Sequence, residues 1–589
     1  MSLDKKKNRK ILYGWLAFLL INILIITITL GVRMGVKNES FSTALIFLIQ
    51  TVYLDNFLRQ NPILLGSLTL VGYLILGRGA RDSILGALKT AIGVFLLSIG
   101  AGGLIGLAAP VFATIRGIKT GVVPLDPYLG WTSAQQFLEK GFGPANDFLT
   151  LSSFVFLLGF AVNIVMVLLK RFTNTNSIMI TGHVMLQQST IVTALLYVIL
   201  FRSVPLLDGG AIAPGSQIGL VIIAGLFIGI YWATASTATL KITNLVTQNS
   251  GFAVGHQQML TLVTSYKLGR FFGKKEDTAE ERKLPGYLKI FEDNIFTQTV
   301  IILLLFAILF AIIIGTYGVE NTIAANYAGF NANSKIGGIK AIASAWNGTF
   351  GGANFVFIIF GGSLRIVAAL LAIITGVRMF VTELQQSFHG ISEKIIPDAV
   401  VAVDIAATYG FSINAVTYGF ISGVIGQFLA VFIMVGISAI PGNNFSLVAI
   451  PLFITLFFNS GAQGVYANAS GGWKAAVIVP AIIGFFEIIF ISFALKLISN
   501  IEGAGIPMIQ DANLPKTPVD SGFLGMGDWN FFFGIVLIIG QFHASLGWIS
   551  TIGAIILLLL LAQIIDSTTQ HKKTFLQKLF KVNVDLVAR

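Results

Sequence analysis

Long apolar runs recur along almost the whole chain, and they constrain its fold more than any other feature. Examples are residues 11–31, 154–169, 300–314 and 531–565. A helix needs about 20 mostly apolar residues to cross a bilayer, so runs that reach or approach this length predict membrane spans. Only 11% of the residues are charged, against about 25% in soluble proteins. We therefore predict an all-α polytopic membrane protein with no separate soluble domain.

Glycine clusters interrupt several of these runs, at residues 100–103, 461–464 and 471–472. Backbone that leaves a helix at membrane depth is tolerated only where protein or a water-filled cavity satisfies its polar groups. The clusters therefore predict broken helices and re-entrant hairpins of the kind that surround transporter sites. Ile92-Gly93 and Thr375-Gly376 form a weak internal echo, consistent with two inverted repeats.

Basic residues flank both ends of the apolar region. They precede the first run at Lys5, Lys6, Lys7, Arg9 and Lys10, and follow the last at Lys572, Lys573, Lys578 and Lys581. The positive-inside rule therefore predicts two cytoplasmic termini and an even number of crossings. We interpret the first run as an uncleaved anchor helix, because it is long for a signal peptide and no small-residue cleavage site follows it.

Loop charges extend this topology. The basic stretch 267–293 is predicted to be cytoplasmic, whereas the acidic stretch 499–530 and the weakly charged stretch 317–351 are predicted to be external. The net charge of +12 is thereby explained by topology, and we predict no nucleic-acid partner.

The sequence offers no apparatus for catalysis. Zero cysteines exclude disulfides, cysteine-zinc sites and thiol chemistry on this chain. The His-Glu-x-x-His, Gly-x-Ser-x-Gly and phosphate-loop motifs are also absent from the sequence. We therefore predict no catalytic residue, no cofactor and no metal.

Two polar strings lie within apolar segments, at residues 181–188 (TGHVMLQQ) and 255–258 (GHQQ). In the first, His183 and Gln187 are spaced i, i+4 and share a helix face, with Gln188 beside them. The second string has the same Gly-His opening followed by paired glutamines, with His256 and Gln257 as its candidate residues. Such side chains could be interhelical glue, but polar groups at membrane depth are functional by default, so we favour a shared substrate pocket.

Asp404 is an isolated carboxylate in an apolar run, and three roles are open to it. It could accept hydrogen bonds from substrate hydroxyls, pair with Arg378, or carry a coupling proton. A metal site with His183 and His256 is conceivable, although the neighbouring glutamines favour hydroxyl groups. Arg378 and Glu383 are interpreted as structural charge pairs.

The strings closely resemble the ascorbate-specific IIC component of the bacterial phosphotransferase system. The motifs that carry the resemblance are residues 178–188, 251–258, 273–294, 376–404 and 464–473, and they occur in family order across roughly residues 45–565. It implies an inverted-repeat core of about eleven helices, with a scaffold and a mobile core that moves as an elevator. It also implies a homodimer in the bacterial plasma membrane.

The resemblance further implies the reaction partners. L-ascorbate would enter from outside, and a separate cytoplasmic IIB protein, charged by an upstream IIA protein, would phosphorylate it. This chain would be the transport subunit, with the phosphoryl-transfer residue on IIB. Residue by residue, the implied site comprises Gly100, Ala101, His183, Gln187, Gln188, His256, Gln257, Asp404, Asn459, Ser460 and Gly461.

Two departures from the family pattern bear on the substrate. Ala101 stands where the family typically has serine, and the expected Ser-Asn pair appears as Asn459-Ser460, so the substrate could be a related sugar acid.

Residues 1–40 form an extension beyond the usual start of the family, with an extra helix, which gives about 12 spans in all. We thus divide the chain into the extension, a transporter domain at 41–566 and a basic tail at 567–589.

Two rival functions share the same pocket. An ion-coupled secondary transporter of a small polyhydroxylated anion would use Asp404 as its proton carrier. A sensory membrane protein would bind the ligand without moving it.

Overall fold

The computed structural model describes most of the chain. The described residues are 2–58, 60–118, 122–125, 127, 148–201, 204, 212–282, 293–318, 346, 354–396, 399–442, 446–451, 454–499 and 527–586. The predicted external loop 317–351 falls almost entirely outside them.

Helices make up most of the described structure. They are α1 (Ser2–Gly31), α2 (Phe41–Phe47), α3 (Asn61–Ile75), α4 (Ala80–Ile118), α5 (Phe148–Leu168), α6 (Gly182–Leu196), α7 (Pro214–Val246), α8 (Met259–Gly269), α9 (Asn294–Tyr317), α10 (Phe355–Ile395), α11 (Ile413–Ser438), α12 (Ser460–Ser499), α13 (Gly527–Gly540), α14 (Ala544–Ala562) and α15 (Phe575–Leu579). Shorter helical segments are Val32–Val36, Leu48–Leu58, Lys170–Thr173, Tyr197–Phe201, Ala279–Glu281, Ile405–Phe411 and Ile454–Asn459.

Eight described helices are long and apolar enough to cross a membrane, and four shorter apolar helices accompany them. This confirms a mostly helical, polytopic membrane protein. The first of the eight candidate spans, Leu19–Val36, has none of its residues buried, as expected of a helix that faces lipid. The total of about 12 crossings stays a prediction.

The helices pack as two groups. In one group, α4 lies against α3, α9 and α10, and in the other α5 to α8 pack with α11 to α14. The echo noted in the sequence falls at the centre of the first group, where Gly93 of α4 meets Gly376 of α10. A Cβ on Gly93 would lie 2.8 Å from the Gly376 carbonyl oxygen, so the close approach of these two helices requires glycine.

Five short strands depart from the predicted all-α class. They are β1 (Val122–Leu125), β2 (Ser177–Met179), β3 (Ala253–Val254), β4 (Val400–Val403) and β5 (Val448–Pro451). One parallel sheet has the order β2-β4-β3, and a second parallel pair joins β1 to β5. Inside a membrane protein these pairings satisfy backbone groups that leave the helices.

The predictions of breaks at residues 100–103 and 461–464 are wrong, because α4 and α12 are helical through these two clusters. A break does occur at the third cluster, where Gly472 adopts φ 70° and ψ −165° inside α12. This conformation is essentially restricted to glycine. Ser460–Gly471 is thereby set off from the rest of α12.

The loop after α8 packs on this break. The Trp473 indole N–H donates to the Asp277 carboxylate at 3.0 Å, and the Trp473 backbone N–H donates to the Asp277 carbonyl at 2.9 Å. A hydrogen bond from Arg282 holds the pKa of Asp277 below its usual value, so the carboxylate is charged at neutral pH. Glu280 accepts from the Ser412 hydroxyl and from the Asn414 N–H at the start of α11.

The chain after α14 folds back on the body. Lys241 of α7 forms ion pairs of 2.8 Å with both Asp566 and Asp585. The Asn176 amide donates to the Ser567 carbonyl at 2.5 Å. The predicted basic tail is therefore tied to the helical core next to β2.

The acidic stretch 499–530 is predicted to be an external loop, and the structure corrects this prediction at the end of the stretch. Its residues 500–526 lie outside the described part of the chain, but α13 begins at Gly527 and Asp528 is buried. Asp528 is therefore not part of an exposed loop, and its partners are described with the site.

Glu383 joins α10 to both α3 and α4. It accepts a hydrogen bond of 2.5 Å from Tyr73 and one of 3.2 Å from Lys89, which fits its predicted structural role. The side chain of Arg378 lies outside the described residues.

Replacing Glu383 with glutamine is expected to act on stability. Loss of the charged acceptor for buried Tyr73 should cost about 1.5–3 kcal/mol, seen as a lower melting temperature in detergent. Lys89→Gln, which removes only the exposed partner, should cost less than about 1 kcal/mol. Equal losses in the two variants, or reduced ligand affinity with normal stability for Glu383→Gln, would contradict this assignment.

Candidate functional site

The carboxyl ends of the three-stranded sheet bring the predicted site segments together. β2 leads into the 181–188 string, β3 into the 255–258 string, and β4 into Asp404. All three strands are parallel, so their carboxyl ends meet at one edge. The Thr181 hydroxyl donates to the Gly255 carbonyl at 2.8 Å and joins the two strings directly.

Three glutamine amides form a chain at this edge. Gln188 Nε2 donates to Gln257 Oε1 at 2.9 Å, and Gln257 Nε2 donates to Gln187 Oε1 at 3.1 Å. All three residues are buried. The two strings therefore converge as the sequence predicts, with amide groups that can exchange hydrogen bonds with hydroxyls.

Two adjacent aromatic residues of α7 contact the chain of glutamines. The Trp232 indole N–H donates to Gln188 Oε1 at 2.5 Å. The Tyr231 hydroxyl contacts the Gln257 carbonyl at 3.5 Å. Both rings are buried, so packing restrains the side chains that orient the Gln188 amide and contact the backbone of Gln257.

A fourth segment reaches the strings from the start of α12. Gln258 Nε2 donates to the Asn459 carbonyl at 3.1 Å, and Gln463 Nε2 donates to Gln258 Oε1 at 3.0 Å. The Tyr409 hydroxyl donates to the Phe458 carbonyl at 2.8 Å. The 458–463 segment is thereby joined both to the second string and to the short helix that follows Asp404.

Asp404 is buried at the N-terminus of that short helix, Ile405–Phe411. One carboxylate oxygen accepts from the Ala406 N–H at 2.9 Å. A carboxylate accepts hydrogen bonds only, and a hydroxyl group is a suitable donor to it.

The other residues of the predicted site do not all lie beside the strings. His256 and Gly461 are buried beside the strings and at the start of α12, whereas the Ser460 hydroxyl is engaged by Gln427 Nε2 at 2.9 Å. Gly100 is buried in α4, which packs in the other helix group. The side chains of His183 and Ala101 lie outside the described residues.

Sequence reasoning missed several members of this site. Trp232 is one, and Gln463 is another, although it lies inside a glycine cluster that the sequence had marked. The Gln463 amide oxygen is buried and has no hydrogen-bond partner within the described part of the chain. It therefore offers an acceptor beside Gln258.

The N-terminus of α6 lies within the first string, where the helix begins at Gly182. α8 begins at Met259, but its first N–H groups donate to Asp528, and α12 continues directly from the helical segment Ile454–Asn459. The N-terminal end of a helix carries a partial positive charge and exposed N–H groups. The site thus combines neutral amides, one carboxylate and the N-terminus of α6, which suits an anion.

Comparison with known proteins identifies the family of the chain. A sequence model of the EIIC-GAT family, described as the PTS system sugar-specific permease component, matches residues 56–512. A relative from Mycoplasma pneumoniae (strain ATCC 29342 / M129 / Subtype 1), named "Ascorbate-specific PTS system EIIC component", is 52% identical over 99% of this chain and 98% of its own length. The chain therefore belongs to the EIIC-GAT family of phosphotransferase-system sugar permease components.

Proposed function

We propose that this protein is the membrane permease component of a phosphotransferase system for L-ascorbate. It binds ascorbate in the pocket at the carboxyl ends of β2, β3 and β4 and carries it to a separate IIB protein for phosphorylation. The observation that carries the proposal is the buried amide chain of Gln187, Gln188 and Gln257 at the sheet edge where β4 leads into Asp404, in a chain 52% identical to an ascorbate-specific component.

The chemistry of the site fits a polyhydroxylated anion. Amide groups both donate and accept, so they can pair with ring and side-chain hydroxyls, and the Asp404 carboxylate accepts from a hydroxyl. The N-terminal end of α6 offsets the negative charge of ascorbate. A substrate lacking one of these hydroxyls would leave a buried group unpaired, at about 1–3 kcal/mol.

The phosphoryl group must come from another chain. Zero cysteines leave no phosphocysteine here, and the family places the phosphorylation step on a IIB component. We propose that IIB, supplied by IIA, docks at the cytoplasmic side. Phosphorylated product would then be retained in the cell.

We also propose the transport movement. The group that carries the strings would slide as the mobile core against α3, α4, α9 and α10, in a homodimer with both termini cytoplasmic. The separate packing of the two helix groups and the Gly93–Gly376 contact support an inverted-repeat scaffold. The short Ser460–Gly471 segment, set off at Gly472, supports a re-entrant hairpin.

Uptake of radiolabelled L-ascorbate into vesicles tests this function. Ascorbate phosphate should accumulate only when IIB, IIA, phosphoenolpyruvate and the general phosphotransfer proteins that pass its phosphoryl group to IIA are present inside. Free ascorbate accumulating without them would instead indicate ion coupling through Asp404. Absence of uptake in vesicles that transport another sugar acid would show that the substrate is wrong.

A further inference from the structure

The carboxylate of Asp528 lies behind the second polar string and accepts four hydrogen bonds. Its Oδ1 accepts from the backbone N–H and the hydroxyl of Thr261, each at 2.7 Å. Its Oδ2 accepts from the Leu260 N–H at 2.7 Å and the Tyr231 hydroxyl at 2.8 Å. Both oxygens are therefore engaged, and the side chain is 2% exposed.

Two of these donors belong to the first turn of α8. The first N–H groups of a helix have no partner within it, and a carboxylate there gains from the helix dipole. Gln258 immediately precedes α8, and its own side chain makes no capping hydrogen bond. Asp528, more than 260 positions later in the sequence, thus supplies the cap that the local sequence lacks.

Tyr231 links this cap to the candidate site. Its hydroxyl donates to Asp528 and also contacts the Gln257 carbonyl at 3.5 Å. The next residue, Trp232, donates to Gln188. The Trp529 ring packs edge-on against Tyr231, with ring centroids 5.9 Å apart, so the residue after Asp528 fixes the same tyrosine.

Asp528 also lines a largely apolar cleft of about 1360 Å³ between α7, α8, α12 and α13. Glu487 lies in the same cleft, and neither of its oxygens has a hydrogen-bond partner of ordinary geometry among the described residues. A buried carboxylate is costly unless it is hydrogen-bonded. The four donors to Asp528 therefore hold its side chain in a better-defined position than that of Glu487.

We propose that Asp528 is a positioning residue for substrate recognition. By holding the first turn of α8 and Tyr231, it sets the placement of Gln257 and Gln258, and through them the amide chain. This inference rests on the proposed ascorbate site, because the residues that Asp528 positions belong to that site. It assigns a role to a carboxylate that touches no substrate.

The test is Asp528→Asn in the full-length protein. An amide must turn an NH₂ group toward N–H donors on one side, so the turn should shift. We expect the Kd for L-ascorbate to rise about tenfold or more. Discrimination between L-ascorbate and its epimer D-isoascorbate should also fall, which a merely smaller folded fraction would not produce.

Three variants bracket this result. Tyr231→Phe should lower affinity less, and the double variant should lose less than the product of the single effects, because both act on one network. Asp293→Asn is the matched cap control, since Asp293 accepts from the Phe296 N–H at the start of α9, in the other helix group. This control should keep wild-type affinity and selectivity.

Hydrogen exchange separates this proposal from the proposed function. Without any ligand, Asp528→Asn should speed amide exchange at 255–261 while the protection of α9 stays unchanged. If ascorbate does not bind the wild type but exchange changes this way, only the substrate assignment fails. Unchanged exchange and affinity in Asp528→Asn, or equal affinity losses in Asp293→Asn, would overturn the positioning role.

Discussion

Gln257→Ala is expected to raise the Kd for L-ascorbate on the order of 100-fold while leaving the protein folded. The substitution removes the acceptor for Gln188 and the donor for Gln187. Each buried amide left without its partner costs about 1–3 kcal/mol, and the chain loses the orientation that presents it to hydroxyls. Isothermal titration calorimetry on the purified protein measures the effect.

Gln577→Ala is the matched control for this prediction. Gln577 is also a fully buried glutamine with several hydrogen bonds, but it lies in the segment that follows α14. It should lower the melting temperature and keep wild-type affinity. Wild-type affinity in Gln257→Ala, or an equal loss of affinity in Gln577→Ala, would show that the amide chain is not part of the binding site.

Gly472→Ala should cost about 3 kcal/mol or more of stability. A Cβ at this position would lie 2.2 Å from the Asp277 carbonyl oxygen and 2.3 Å from the Lys274 carbonyl oxygen, in a backbone conformation with φ 70°. Relief would require the loop after α8 to separate from α12. A fall in melting temperature and in monodisperse yield should reveal the loss.

Gly436→Ala provides the comparison, because nothing lies within 4 Å of a Cβ added there. Alanine is favoured over glycine inside a helix, so this variant should be neutral or more stable. If Gly472→Ala melts at the wild-type temperature, the break in α12 does not need glycine, and its role as a fixed turn is wrong.

The sequence was informative about the candidate site because polar residues stand out within apolar runs, where burying them is costly. Glutamines inside apolar runs must find partners, and Gln187, Gln188 and Gln257 find one another. That they would converge was therefore predictable. The way they converge was not, because strands of two to four residues such as β3 and β4 show no readable periodicity.

Asp528 shows a different limit. The stretch 499–530 holds four acidic residues against one lysine, so charge counting assigns Asp528 to an external loop. Its actual partners, Tyr231, Leu260 and Thr261, are distant in sequence, and only tertiary packing brings them together. Burial of a charge by remote donors leaves no local sequence signal.

Glycine clusters mark close packing and breaks alike. At 100–103 the glycines remain helical, whereas Gly472 adopts a left-handed φ and turns the chain. Composition cannot separate these uses, because glycine permits both close helix approach and unusual dihedral angles. The contacts of the neighbouring loop decide which one occurs.

The most direct test of the account is a cryo-electron microscopy structure of the purified protein with L-ascorbate bound. We predict ligand density at the carboxyl ends of β2, β3 and β4, within hydrogen-bond distance of the Gln187 and Gln257 amides and the Asp404 carboxylate. Density in another place, for example in the cleft lined by Glu487, with these three side chains unchanged, would contradict the proposed site.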